Sequence, residues 1–152
     1  MAALVHNPGS QAERYKHYAF AYADAAGVVW QKPSKSSETG KIKHAVASAF
    51  IAEDDTKVIE ASTPDTLPRL YEWMHELSHH YLDHINNEKP YHVEEFEATK
   101  MAIDTLERDG FHMTPAIRKE AAWNIEQAIG KDRRKGIRID SEAAEYAREL
   151  KQ

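Results

Sequence analysis

Apolar residues recur along this chain with two periods, and the switches between them mark its elements. From about Ser10 to Ala26, Tyr15, Tyr18, Ala19, Tyr22, Ala25 and Ala26 return at helical spacing, and Gly27 ends the run. A tyrosine stripe of this kind is core packing more often than a binding platform. Val28-Val29-Trp30-Gln31 reads as a strand. A polar loop rich in Ser and Lys, over 33–41, separates it from a second strand over 42–51. Glu53-Asp54-Asp55-Thr56 then forms a hairpin turn into a third strand over 57–61.

The period changes again at Pro64 and Pro68, which fit a helix entry somewhere in 64–69, with Thr63, Asp65 or Thr66 available as caps. Leu67, Leu70, Tyr71 and Met74 begin an apolar stripe that Leu77, Ser78, Tyr81 and Leu82 carry onward. After a break at Asn86-Asn87-Glu88-Lys89-Pro90, helical spacing resumes from Val93, with Phe96, Ile103 and Leu106 on one stripe. Thr114-Pro115 starts another helix, with Ile117, Ala121, Ala122, Ile125 and Ile129 on its apolar face and Gly130 as its expected end. A basic run, 131–138, reads as a solvated linker before a last helix over about 141–151. These elements predict an α+β fold. It has an N-terminal helix, a small, mostly antiparallel three-stranded sheet, two central helices and a helical C-terminal part. At 152 residues the expectation is one domain, with a core over about 10–110 and an extension over about 111–152.

The first central helix carries His75-Glu76-Leu77-Ser78-His79, an H-E-x-x-H run. Four residues is just over one helical turn, so both imidazoles project from one face and can share a cation. Glu76 lies roughly 100° further round, placed to touch a water on that cation as a general base. The bland alternative is a surface helix with solvated histidines. A catalytic zinc site needs three protein ligands and an open position. A third histidine in metzincin spacing is absent, since Leu82 and Ile85 stand where Gly and His are required. Nine residues on from His75, His84 sits roughly 180° round an ideal helix and faces away, and His80 is also well off the His75/His79 direction; both read as helix-end or supporting residues. The better source is the acidic cluster Glu94, Glu95 and Glu97 on the next helix, where Glu95 and Thr99 share a face and Ala98 and Ala102 permit close approach.

Taken together, His75-Glu76-Leu77-Ser78-His79-His80-Tyr81-Leu82-Asp83-His84 and Glu95-Phe96-Glu97-Ala98-Thr99-Lys100-Met101-Ala102 resemble the ImmA/IrrE-type zinc metallopeptidases of the gluzincin group, over roughly residues 55 to 105. The metallopeptidase domains of phage and plasmid polyvalent and anti-restriction proteins are similar as well. The resemblance implies a minimal zincin fold. It implies Zn2+ on His75, His79 and Glu95, Glu76 as the general base, and Thr99 where relatives carry an Asp or Asn that braces a ligand histidine. The chain departs from the pattern at Thr99 and at Asp104-Thr105-Leu106-Glu107, where the family has L-L-M-P. In such a fold an edge strand beside the metal helix holds the peptide, and 42–51 or 57–61 is expected in that place. Tyr91 or His92, with His84 and His112 behind them, are candidates to steady the oxyanion.

Composition narrows the picture further. Cysteine is absent, which excludes disulfides and thiolate ligands and suits a reducing cytoplasm. Met1 to Pro8 shows no charged leader or apolar run of signal length, and no stretch approaches the ~18 apolar residues of a membrane span. Lys131, Arg133, Arg134, Lys135 and Arg138 could touch nucleic acid, but the net charge is −5 and no aromatic residues interleave with them. The expectation is a cytoplasmic zinc endopeptidase acting on a protein or peptide, a regulator being the implied class. A catalytically silent zincin-fold binding protein of mobile-element origin is the alternative.

Overall fold

Ser10 caps the first helix of the computed structural model, α1 (Gln11–Ala26), by accepting the Glu13 backbone N–H at 3.2 Å. Gly27 closes the helix in the left-handed conformation (φ 70°), and its N–H returns to the carbonyls of Ala23 and Asp24. The structure describes residues 10–33 and 47–152, so residues 42–46 of the expected second strand, nearly all of the expected polar loop and the N-terminal segment lie outside the described residues. The chain divides into two compact units, Met1–Leu77 and Ser78–Gln152. Residues 111–152 thus share a unit with 78–110.

In the first unit, α1 packs on β1 (Val28–Gln31) through a face that buries Tyr15, Ala19 and Ala23. The sheet order is β1-β3-β2, with β2 at Ser48–Ile51 and β3 at Lys57–Glu60. β3 is central. It pairs antiparallel with β2 across the expected turn, where Asp55 adopts a left-handed φ of 68°. With β1 it pairs in parallel, in the register Val28↔Lys57 to Gln31↔Glu60. The sheet is therefore mixed: the short 52–56 connection makes a hairpin of β2 and β3, while β3 runs in the direction of β1. Of the two strands expected at the sheet edge, β2 has that place among the described strands and β3 does not.

A buried aromatic cluster lies within this unit. Trp73 is fully buried, with ring centroids 5.8 Å from Phe20 and 6.2 Å from Trp30, while Trp30 Nε1 donates to the Ala61 carbonyl at 2.9 Å. Trp73 belongs to α2 (Leu67–Tyr81), whose first turn holds Pro68 and whose start is capped by Thr66 Oγ1, accepting from Arg69 N–H. The division between the units falls inside α2, after Leu77.

The second unit continues with α3 (Tyr91–Arg108), α4 (Pro115–Arg134) and α5 (Ser141–Leu150), each packed on the other two. Alanines dominate the shared core: Ala98, Ala102, Ala121, Ala122, Ala143 and Ala147 are buried, beside Ile103, Leu106 and Ile125. Small side chains let these helices approach closely. Thr114 caps α4 by accepting from Ile117 N–H, with Pro115 in the first turn, as the sequence predicts.

Gly130 does not end α4. The helix runs to Arg134 because Ile129 and Asp132 are both buried beyond or beside the glycine, and that packing outweighs the ~1 kcal/mol by which Gly disfavours a helix interior relative to Ala. Lys131, Arg133 and Arg134 consequently form the exposed last turn of α4, where cations favour the helix dipole, and only the residues after them form a linker. Among the described residues no helix is long and apolar enough to cross a membrane.

Candidate metal centre

His75 and His79 stand one turn apart in α2, as their spacing requires. His75 is buried against Tyr71, with ring centroids 6.1 Å apart. His79 Nε2 lies 3.0 Å from Glu95 Oε2 of α3, with both side chains largely withdrawn from solvent. One ligand-capable atom from each of His75, His79 and Glu95 lies within 4.8 Å of the others. Tetrahedral zinc with bonds of ~2.0–2.1 Å spaces its donors by roughly 3.3 Å. The donor set is of the right kind and scale for a cation: two imidazoles and a carboxylate, mutually close. This group could hold a metal ion.

The acidic cluster sorts itself by geometry. Glu94 Oε2 accepts the backbone N–H of Lys89 at 3.0 Å, at the start of α3. Glu97 accepts from His84 Nε2 at 2.9 Å and from Lys89 Nζ through both oxygens. Glu95 alone of the three is placed with the histidine pair. Burial pushes the Glu97 carboxyl up, but hydrogen bonds from His84 and Lys89, with the Lys89 charge, outweigh it and hold the group below the ordinary carboxyl value. Thr99, one turn after Glu95, is fully buried.

His84 departs from its expected place. An uninterrupted helix would turn it away, but α2 ends at Tyr81 in a reversal. Asp83 adopts a left-handed φ of 54°, its N–H bonds the His80 carbonyl, and the His84 N–H bonds the His79 carbonyl, both at 3.0 Å. These two bonds make a Schellman closure, which folds the residue after the left-handed position back onto the last turn. His84 is therefore buried against His79, with the two Nδ1 atoms 2.9 Å apart. Glycine is the usual sequence signal for such a closure, and an Asp occupies the position here. The Asp83 carboxylate instead accepts from the side chains of Asn86 and Asn87, which hold the turn.

No family model matches this chain, and no curated protein or solved structure matches it. The chemistry of the site accordingly rests on its own residues.

His92 is not an oxyanion candidate. It is fully buried, with Nδ1 2.6 Å from Asp132 Oδ2, and the same oxygen accepts the His92 backbone N–H at 2.9 Å. Its Nε2 accepts the Asp140 backbone N–H at 3.0 Å, so the imidazole is neutral and joins α3, α4 and the cap of α5. Tyr91, at the first position of α3, is exposed, with Lys131 Nζ 5.5 Å above its ring. His112 is exposed and His80 buried. Glu76 is half-buried in α2, directly after His75.

Proposed function

We propose that this chain is a zinc-dependent peptidase of the gluzincin kind, close in design to the ImmA/IrrE-type enzymes whose motifs it resembles. The observation that carries the reading is the convergence of Glu95, from a separate helix, on the two histidines of an H-E-x-x-H turn. A solvated helix has no need of such a partner.

His75, His79 and Glu95 would hold the ion. Zinc bound there supplies a Lewis acid that polarises a scissile carbonyl and brings the pKa of water towards ~7. The Glu76 carboxylate takes a proton from the attacking water and delivers it to the leaving amine nitrogen. Thr99, buried one turn beyond Glu95, braces the site from behind. Tyr91, with its hydroxyl at the exposed start of α3, is the remaining candidate donor to the oxyanion. An extended peptide finds main-chain partners along an edge strand, and β2 offers one.

The test is hydrolysis of a mixed peptide library by zinc-loaded protein, read by mass spectrometry as new termini. Cleavage that a chelator stops and zinc restores supports the reading. A loaded protein that cleaves nothing in the library leaves a metal centre without peptidase function.

A further inference from the structure

Behind His79 lies a chain of polar contacts that the hydrolytic mechanism does not use. His79 Nδ1 is 2.9 Å from His84 Nδ1, His84 Nε2 is 2.9 Å from Glu97 Oε1, and Glu97 is held by Lys89 Nζ at 2.9 and 3.1 Å. His84 is almost completely buried. A neutral imidazole carries one N–H and one acceptor nitrogen. Each link therefore constrains the next.

Starting at the anchored end, the Glu97 carboxylate accepts only, so His84 Nε2 must be the donor. Neutral His84 then has a lone pair at Nδ1. The short contact to His79 Nδ1 requires a hydrogen there, and His79 must supply it. With a cation shared between His79 Nε2 and Glu95 Oε2, which lie 3.0 Å apart, Nε2 carries the lone pair that binds it and the hydrogen of neutral His79 is on Nδ1. The whole sequence of donors runs in one direction, from His79 through His84 to Glu97.

We infer that His84 is a positioning residue of the metal centre: it fixes His79 in the Nδ1–H tautomer and locks its ring so that Nε2 is presented to the cation. Metal-ligating histidines ordinarily give their second N–H to a carboxylate or carbonyl, and loss of that partner weakens the metal by about ten- to a hundredfold. Here an imidazole is interposed between ligand and carboxylate. It is delivered by the Schellman closure at Asp83 rather than by a neighbouring element. The inference rests on the metal centre but not on peptidase activity.

The test is zinc affinity, measured by chelator competition, for wild type, His84→Phe and His84→Gln. The phenyl ring fills the space without an acceptor, so His84→Phe should bind zinc about ten- to a hundredfold more weakly. The amide of His84→Gln offers an acceptor oxygen to His79 and an N–H to Glu97, so it should recover most of that loss. Histidine ring-nitrogen NMR of zinc-loaded wild type supplies a second readout that needs no variant. It should show a protonated Nδ1 and a metal-bound Nε2 on His79. Equal affinity in all three proteins, or zinc on Nδ1 of His79, overturns the inference while leaving the metal centre intact. Wild type that binds no zinc at all overturns both.

Discussion

Glu95 Oε2 stands 3.0 Å from His79 Nε2, while its neighbours Glu94 and Glu97 are engaged by Lys89 and His84. That single pairing converts two histidines on a helix into a three-donor cluster. It also separates the roles of three carboxylates that lie within four consecutive residues. One completes the candidate metal group, one accepts the Lys89 backbone N–H just before α3, and one anchors a histidine behind the site.

Glu76 should be separable from the ligands. The change Glu76→Gln removes the proton acceptor but leaves His75, His79 and Glu95 in place. Peptide hydrolysis should fall by at least about a hundredfold, with zinc content unchanged. The check is zinc analysis and peptide turnover on the same preparation. Loss of the metal, or undiminished turnover, would contradict the assigned role.

Asp83 should control the metal without touching it. A β-branched residue in its left-handed conformation costs about 1–2 kcal/mol, and would pull His84 away from His79. Asp83→Val is therefore expected to lower both thermal stability and zinc affinity. Asp83→Gly, which accepts the positive φ, should keep the affinity even though it loses the contacts to Asn86 and Asn87. Calorimetric titration of the two variants tests this.

Much of this was legible beforehand, and the exceptions share a cause. Periodicity places α1, α2, α3 and α4, and spacing alone pairs His75 with His79, because both depend on local geometry repeated over several turns. His84 reads correctly as a helix-end, supporting residue, but an ideal helix continued through Asp83 turns it away from His79, because no glycine announces the reversal. His92 passed for a residue at the site mouth because its partner, Asp132, lies forty positions away and inside a run that reads as charged linker. The choice among Glu94, Glu95 and Glu97 depended on which way a second helix turns, and that is set by the core it shares with α4 and α5.

Gly130 gives a stability test of the helix that sequence reading cut short. A Cβ built there meets only Arg134 Nη1, at an ordinary 3.5 Å. Gly130→Ala should therefore stabilise the protein by about 0.5–1 kcal/mol, read as a higher urea midpoint. A loss of stability would mean the backbone at this position is not helical.

Asp132 supports the second unit rather than the chemistry. Burial pushes its carboxyl up, but hydrogen bonds from the His92 backbone and imidazole more than offset this and hold it below its ordinary 3.8. A depressed carboxyl contributes stability above its unfolded value and loses it as pH falls through the folded one. Asp132→Ala should cost about 3 kcal/mol at neutral pH, since two buried N–H groups lose their acceptor. Below pH 3.8 the gap between wild type and variant should narrow. Urea titrations at neutral and acid pH measure this, and a gap that widens in acid would contradict it.

The most direct test of the metal centre is the zinc content of the purified protein beside that of Glu95→Ala. One equivalent in the wild type, lost or much weakened in the variant, is the result expected of a His75–His79–Glu95 site. A wild type that takes up no metal when zinc is supplied, or a variant that holds it equally well, would contradict the account.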